Sequence, residues 1–246
     1  MIKIPLFIFF VIFNCNVFAL SSFIADYKLV IDNIKVATET RTLNFYENKY
    51  EYTANAKTTG VAKLFGDISI EAKSIFVIND YGVDSEKYIV NELKDKELTK
   101  SYIVNISSKN NTVISESTTP KLDTKAFKTE GGNILDPLSL FIALLNDLSN
   151  MPNKVIFRYQ VADGKYLKKN EYRKISNQTF MINGIEEDVI RVEEFNSDSN
   201  LTALFSPKYL YLPVVIEQTK RGRSQRYELT GLRAKVNESE ELQVIF

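Results

Sequence analysis

The side chains that most often carry catalysis are what this 246-residue sequence lacks. It has no histidine, and its single cysteine, Cys15, lies in the first apolar stretch. Ser-His-Asp and Cys-His arrangements are therefore excluded, and the usual zinc sites lose their preferred ligands. A serine–lysine mechanism stays open chemically, yet no serine is followed three positions later by a lysine. The nine glycines are scattered and form neither a P-loop nor a G-x-G-x-x-G turn.

Paired carboxylates are the remaining catalytic option, since two of them can act as acid and base in glycoside cleavage. The candidates are Glu186, Glu187 and Asp188, with Glu193 and Glu194 further along the chain. Adjacent strand residues point to opposite faces, so neither neighbouring pair converges directly on one bond. Solvated carboxylates on a hairpin are the plainer reading. Calcium would use the same oxygens, but the D-x-[DN]-x-[DN]-G loop is absent. No catalytic residue, metal site or cofactor is expected, and the chain reads as a non-enzyme.

Two basic clusters could contact anions. One is Lys165, Lys168, Lys169, Arg173 and Lys174; the other is Lys220, Arg221, Arg223 and Arg226. Brought together they would suit anionic headgroups or glycan phosphates, and apart they are ordinary solvated strand faces. The 31 basic residues balance the 31 acidic ones without a block of like charge, so no nucleic-acid partner is indicated.

The elements that would position these residues are mostly strands. Tyr27, Leu29 and Ile31 alternate with polar neighbours, as do Leu43 and Phe45, and then Tyr50, Tyr52, Ala54 and Ala56; this period of two marks strands with one buried face. Sixteen Phe and thirteen Tyr suit such pleated surfaces, and a 44% hydrophobic content is enough to close a core. Asn183-Gly184 predicts a two-residue hairpin. Pro213 cannot donate to a ladder, which predicts an edge position or a bulge. The polar stretch 115–132 reads as a long loop.

The pattern changes once. Asp136 and Pro137 are favoured at a helix start, and Leu138, Phe141, Ile142, Leu145 and Leu148 then recur at three- and four-residue steps. A single helix is predicted over 137–149. A stripe of this kind is usually core; its functional alternative is a cavity wall for an acyl chain, with Leu138, Phe141, Ile142 and Leu145 as the ligand-binding candidates.

The N-terminus reads as a secretory signal. Lys3 precedes the apolar run Ile4 to Phe13, which is too short to span a bilayer, and Val17-Phe18-Ala19 fits cleavage after Ala19. Cys15 follows Asn14 rather than a small residue, which argues against lipid attachment there. Cleavage would leave residues 20–246 as one β domain with no cysteine, no transmembrane segment and no disulfide. It would also remove one cation, Lys3, and no anion, giving a formal charge of −1.

Asp136-Pro137-Leu138-Ser139, Val161-Ala162-Asp163-Gly164-Lys165 and Leu212-Pro213-Val214-Val215-Ile216 together resemble the bacterial envelope family known as domain of unknown function 3108. The resemblance runs from about Tyr27 to Leu232. It implies a periplasmic protein with a signal peptide and a curved antiparallel sheet, and carries no catalytic residues. The order strands, helix, strands is also similar to the half-barrel of periplasmic lipoprotein carriers, a likeness of fold alone. The expectation is a mainly β, curved antiparallel sheet or half-barrel with one covering α-helix. Its expected role is non-enzymatic, binding an apolar ligand, lipid or other envelope component. The alternatives are a partner-docking module using an exposed strand edge and a carboxylate-dependent glycan hydrolase.

Overall fold

The computed structural model describes residues 20–182, 184–195, 201–220, 223–237 and 240–245. The signal segment and its cleavage position, Ala19, lie outside the described residues, as do Asn183 and Arg221.

Alternation of apolar and polar residues produces strands throughout. The first half holds β1 (Phe23–Ile31), β2 (Ile34–Tyr46), β3 (Lys49–Thr58), β4 (Ile68–Asn79), β5 (Gly82–Lys94), β6 (Glu97–Ser107), β7 (Thr112–Thr119), β8 (Asp123–Lys128) and β9 (Ile134–Leu135). The helix α1 (Ser139–Asn150) follows. The second half holds β10 (Ile156–Ala162), β11 (Leu167–Ile182), β12 (Ile185–Phe195), β13 (Leu201–Ser206), β14 (Leu212–Lys220), β15 (Arg223–Asn237) and β16 (Glu240–Ile245).

All these strands belong to one sheet. From one end the order is β8, β7, β6, β5, β4, β3, β2, β1, β15, β14, β13, β12, β11, β10, β9, with β16 also paired to β15. Every pairing is antiparallel except the short β9–β10 contact. The joint between the two halves is β1 against β15, from Phe23 opposite Ala234 to Ile31 opposite Gln225. The first strand therefore closes on the last long one, and the chain between them fans out on either side.

The sheet curls until its two ends approach. Ile134 N donates to Asp84 Oδ1 at 3.1 Å and Asn133 Nδ2 to the Val83 carbonyl at 3.1 Å, which ties the β9 end to β5. At the β10–β11 turn, Gly164 packs against Tyr102 of β6 and Ser115 of β7. These are side-chain contacts with no backbone ladder between the ends among the described residues, so the sheet is open and not a closed barrel.

The helix sits inside this curl. Ser139, Leu140, Ile142 to Leu145, Asn146, Asp147 and Leu148 are all buried, so the segment is enclosed on nearly every side rather than laid on a surface by one stripe. Its buried polar groups are paired: Asp147 meets Lys154 Nζ at 2.9 Å and the Tyr159 hydroxyl at 3.0 Å.

Asp136 anchors the helix start. Its Oδ1 accepts from Leu138 N at 2.9 Å and Ser139 N at 3.0 Å, satisfying amides a helix start would otherwise leave unpaired. Its Oδ2 accepts from Ser74 Oγ at 2.5 Å and Ser85 Oγ at 2.8 Å, on β4 and β5. Burial raises its pKa above the ordinary aspartate value, against the pull of those four bonds. The helix begins two residues later than the pattern predicts because Pro137 and Leu138 form the turn under this carboxylate.

One expectation needs correction, and another is decided between its two alternatives. The stretch 115–132 is no long loop: β7 and β8 pair from Thr112 opposite Lys128 to Ser117 opposite Asp123. The buried face of β7 carries only Val113 and Ser115, and the outer strand β8 is almost wholly exposed, which is why the hairpin has a weak apolar signature. Pro213 is not on an edge, because β14 lies between β13 and β15. It sits at a bulge, where Phe205 faces Pro213 while Leu204 faces Val215, and it precedes the β14–β15 ladder. Its missing N–H therefore breaks no bond.

Candidate functional site

The inward face of the sheet changes in residue size along its length. Leu43, Tyr50, Tyr52, Phe76 and Tyr27 fill one end, with Phe76 stacked on Tyr50 at 5.4 Å between ring centres. Further along the same alternation the inward positions become alanines: Ala37 on β2, Ala54 and Ala56 on β3, Ala72 on β4. The register puts Ala54 opposite both Arg41 and Ala72, and Ala56 opposite Glu39 and Ile70. Small side chains facing one another leave space that larger ones would occupy.

That space is a cleft of about 1310 Å³, open to solvent on one side. Its floor is formed by the alanines with Leu29, Ile31, Ile68 and Ile70. Its far wall comes from the second half of the chain, through Val161, Tyr172, Phe195, Leu201, Ile216 and Tyr227. The helix start closes the third side with Pro137, Leu138, Leu140 and Phe141. Pockets of ~300–1,000 Å³ with mostly apolar walls are the usual size for small-molecule sites, so this one admits a ligand at least that large.

The helix residues singled out from the sequence divide into two pairs. Leu138 and Phe141 line the cleft, whereas Ile142 and Leu145 are buried in the core and do not reach it. The basic clusters divide similarly. Lys168 and Lys169 from the first and Arg223 from the second stand on the cleft wall, so the two clusters do contribute to one place. Arg173 stacks instead over the Phe195 ring at 3.3 Å, and Arg226 is engaged with Glu217 and Glu228, each at 2.8 Å. Lys169 is paired to Glu130.

The acidic candidates do not assemble an acid–base pair. Glu187 is bound by Lys208 and by the Tyr209 hydroxyl at 3.0 Å, and its bond to Lys208 holds its carboxyl below the usual range. Glu193 pairs with Arg191 at 2.5 Å, and Glu194 accepts from Asn170 at 2.6 Å. Among the described residues no group of three metal-ligating side chains comes together.

The pattern did not single out the pair Glu39 and Arg41. They occupy successive inward positions of β2, both buried, with Arg41 Nε 2.5 Å from Glu39 Oε1. Burial opposes the guanidinium's charge, yet Glu39 together with Tyr52 and Tyr27 raises its pKa well above the ordinary arginine value. The rings of Tyr27, Phe141 and Tyr227 lie 4.9, 5.3 and 5.7 Å from its central carbon. The signal was available in the run Ala37, Glu39, Arg41, Leu43, where two charges share the parity of two apolar residues.

No family model matches this sequence, and no curated protein matches it significantly. A solved structure with a similar fold is the beta-barrel-like protein of domain of unknown function 1849 from Brucella abortus. It is 11% identical, with a TM-score of 0.60 over 89% of this chain and 99% of that one. A candidate lipoprotein from Parabacteroides distasonis aligns over 87% of this chain and 95% of its own, at 10% identity and a TM-score of 0.31, too low to carry an argument. At such identities the first likeness speaks for the fold: a mostly β, barrel-like architecture shared with a protein domain of unknown function.

Proposed function

We propose that this chain is an exported envelope protein, a single β domain from residue 20 onward, that binds an apolar or lipid ligand without catalysing a reaction. The observation that carries the reading is the cleft itself, whose walls are mostly aliphatic and aromatic and whose floor is kept low by facing alanines. Leaving such a surface uncovered forfeits roughly 25 cal/mol for each Å² of apolar area that burial would stabilise, so a fold without a ligand would gain by filling it. The secretory character of residues 1–19 and the short motifs resembling family 3108 support the compartment. Among the described residues no helix is long and apolar enough to cross a membrane.

Of the carboxylates considered for glycan hydrolysis, Glu187, Glu193 and Glu194 are each engaged by a cation, a hydroxyl or an amide, which favours binding over hydrolysis. Docking through an edge strand has less support. The β8 edge is short and carries Lys125 and Lys128, features that discourage strand addition. Native mass spectrometry on protein recovered from its own envelope tests the proposal. A bound species of lipid mass is expected, and repeated recovery of empty protein counts against it.

A further inference from the structure

Three cations that line the cleft are also exposed to solvent: Lys57 on β3, Lys168 on β11 and Arg223 at the start of β15. A side chain that is both exposed and part of the lining stands at the rim, where the cleft meets water. None of the three forms an ion pair among the described residues, and Lys168 lies 5.3 Å from the Tyr166 ring. The other lining cations are neutralised, Arg41 by Glu39 and Lys169 by Glu130. Besides Glu39 the lining holds two carboxylates, and both are engaged. Asp163 accepts from the amides of Lys165 and Tyr166 at 2.8 and 2.7 Å, and Glu194 accepts from Asn170 at 2.6 Å. The apolar hollow therefore opens through a rim with an excess of positive charge, on a chain whose total charge is balanced.

We infer that the cleft takes an amphiphile with an anionic headgroup, its hydrocarbon chain over the alanines and its charged oxygens at the rim with Lys168 and Arg223. This rests on the cleft binding an apolar ligand, and it names the ligand's chemical class. The two parts of such a molecule contribute differently. Each methylene buried in the hollow raises affinity by about fourfold whatever the headgroup, so the chain supplies most of the binding. The rim supplies the selection. There the headgroup keeps much of its water, so its charge avoids the cost of entering apolar surroundings, and it meets a guanidinium fork and an ammonium without carboxylates of their own. A neutral headgroup leaves those cations unanswered. Lys168 and Arg223 belong to the two basic runs, 165–174 and 220–226, which are distant in sequence and which the second half of the sheet brings to one cleft.

Displacement of the fluorescent probe N-phenylnaphthylamine at neutral pH separates chain from charge, using oleoyl lysophosphatidic acid, monooleoylglycerol, which differs by lacking the phosphate, and glycerol 3-phosphate, which lacks the chain. The phosphate-bearing lipid is expected to bind roughly fivefold tighter than the neutral one, as two exposed charge pairs imply. That margin should be present at about 0.01 M salt and vanish near about 1 M, where screening is short-ranged. Glycerol 3-phosphate should leave the probe in place. Lys168→Gln combined with Arg223→Gln changes only exposed side chains, so the variant should fold and bind both lipids alike. The control Lys109→Gln with Lys125→Gln removes the same charge from exposed positions outside the cleft lining and should keep the preference. Equal binding of the two lipids by the wild-type protein at low salt would overturn the inference while leaving the apolar site standing. So would displacement by glycerol 3-phosphate, a preference that survives in the rim variant, or one lost equally in the control. Failure of both lipids to displace the probe would overturn the binding function as well.

Discussion

Replacing Asp136 by alanine tests whether the helix start is held from within the sheet. The carboxylate is fully buried and accepts four bonds, two from the backbone amides of Leu138 and Ser139 and two from the hydroxyls of Ser74 and Ser85. The hydroxyls can reorient, and Ser85 already meets Ser139 at 2.7 Å, but the two amides have no such freedom. At ~1–3 kcal/mol for each buried donor left unmet, Asp136→Ala should cost about 3–5 kcal/mol. In a domain of this size that corresponds to a fall in Tm of roughly 6–20 °C. Asp136→Asn keeps an oxygen for the amides and should lose much less.

The pH dependence carries its own sign. The folded-state pKa of Asp136 is raised, so between the unfolded value and the folded value the native state holds the extra proton. Stability from this group is therefore greatest in acid and declines as pH rises through that window, after which it is flat. The stability advantage of the wild-type protein over Asp136→Asn should shrink as pH rises from about 4, the ordinary aspartate range. Urea unfolding across pH measures both effects. A loss below about 1 kcal/mol in Asp136→Ala, no more than an exposed cap is worth, would refute the account, as would an advantage that grows with pH.

The close approach of the sheet ends makes a second prediction. An added Cβ at Gly164 would lie 2.6 Å and 2.8 Å from two ring atoms of Tyr102, whereas at Gly184 it would meet nothing within 4 Å, and both glycines have positive φ. Gly164→Ala should therefore destabilise by roughly 1–3 kcal/mol more than Gly184→Ala in denaturant melts; equal losses would mean the turn does not pack on β6. The joint between the halves is tied by the Tyr27 hydroxyl, which donates to the Pro213 carbonyl at 2.9 Å in a buried setting. Tyr27→Phe should cost about 1 kcal/mol in the same assay, and no loss would place that bond outside the fold's energetics.

How much of this was legible in the residues depends on what each pattern encodes. Period-two alternation gives away strands because one face is buried, and Asp136-Pro137 gives away the helix start because the cap is local. The β7–β8 hairpin escapes the pattern because β8 is almost wholly exposed and the buried face of β7 carries only Val113 and Ser115. Pro213 was placed on an edge or a bulge, and only the long-range order of strands decides between them. The cleft is subtler. Tyr50, Tyr52, Ala54 and Ala56 were recognised as one buried face, but whether alanines mean tight packing or open space depends on what lies opposite. The opposing residues come from a strand pairing, from the helix and from the second half of the chain, none of which is local. That is also why Leu138 and Phe141 reach the cleft while Ile142 and Leu145, on the same stripe, do not.

The central claim is that the alanine-floored hollow is occupied in the working protein. Its most direct test compares the wild-type protein with Ala56→Trp, which puts a large ring where Ala56 faces Glu39 and Ile70, after both are recovered undenatured from the same envelope preparation and weighed intact. The wild-type mass should exceed that of the polypeptide by one lipid, and the tryptophan variant should be folded and bare. Bare wild-type protein, or equal lipid on both, would contradict the account.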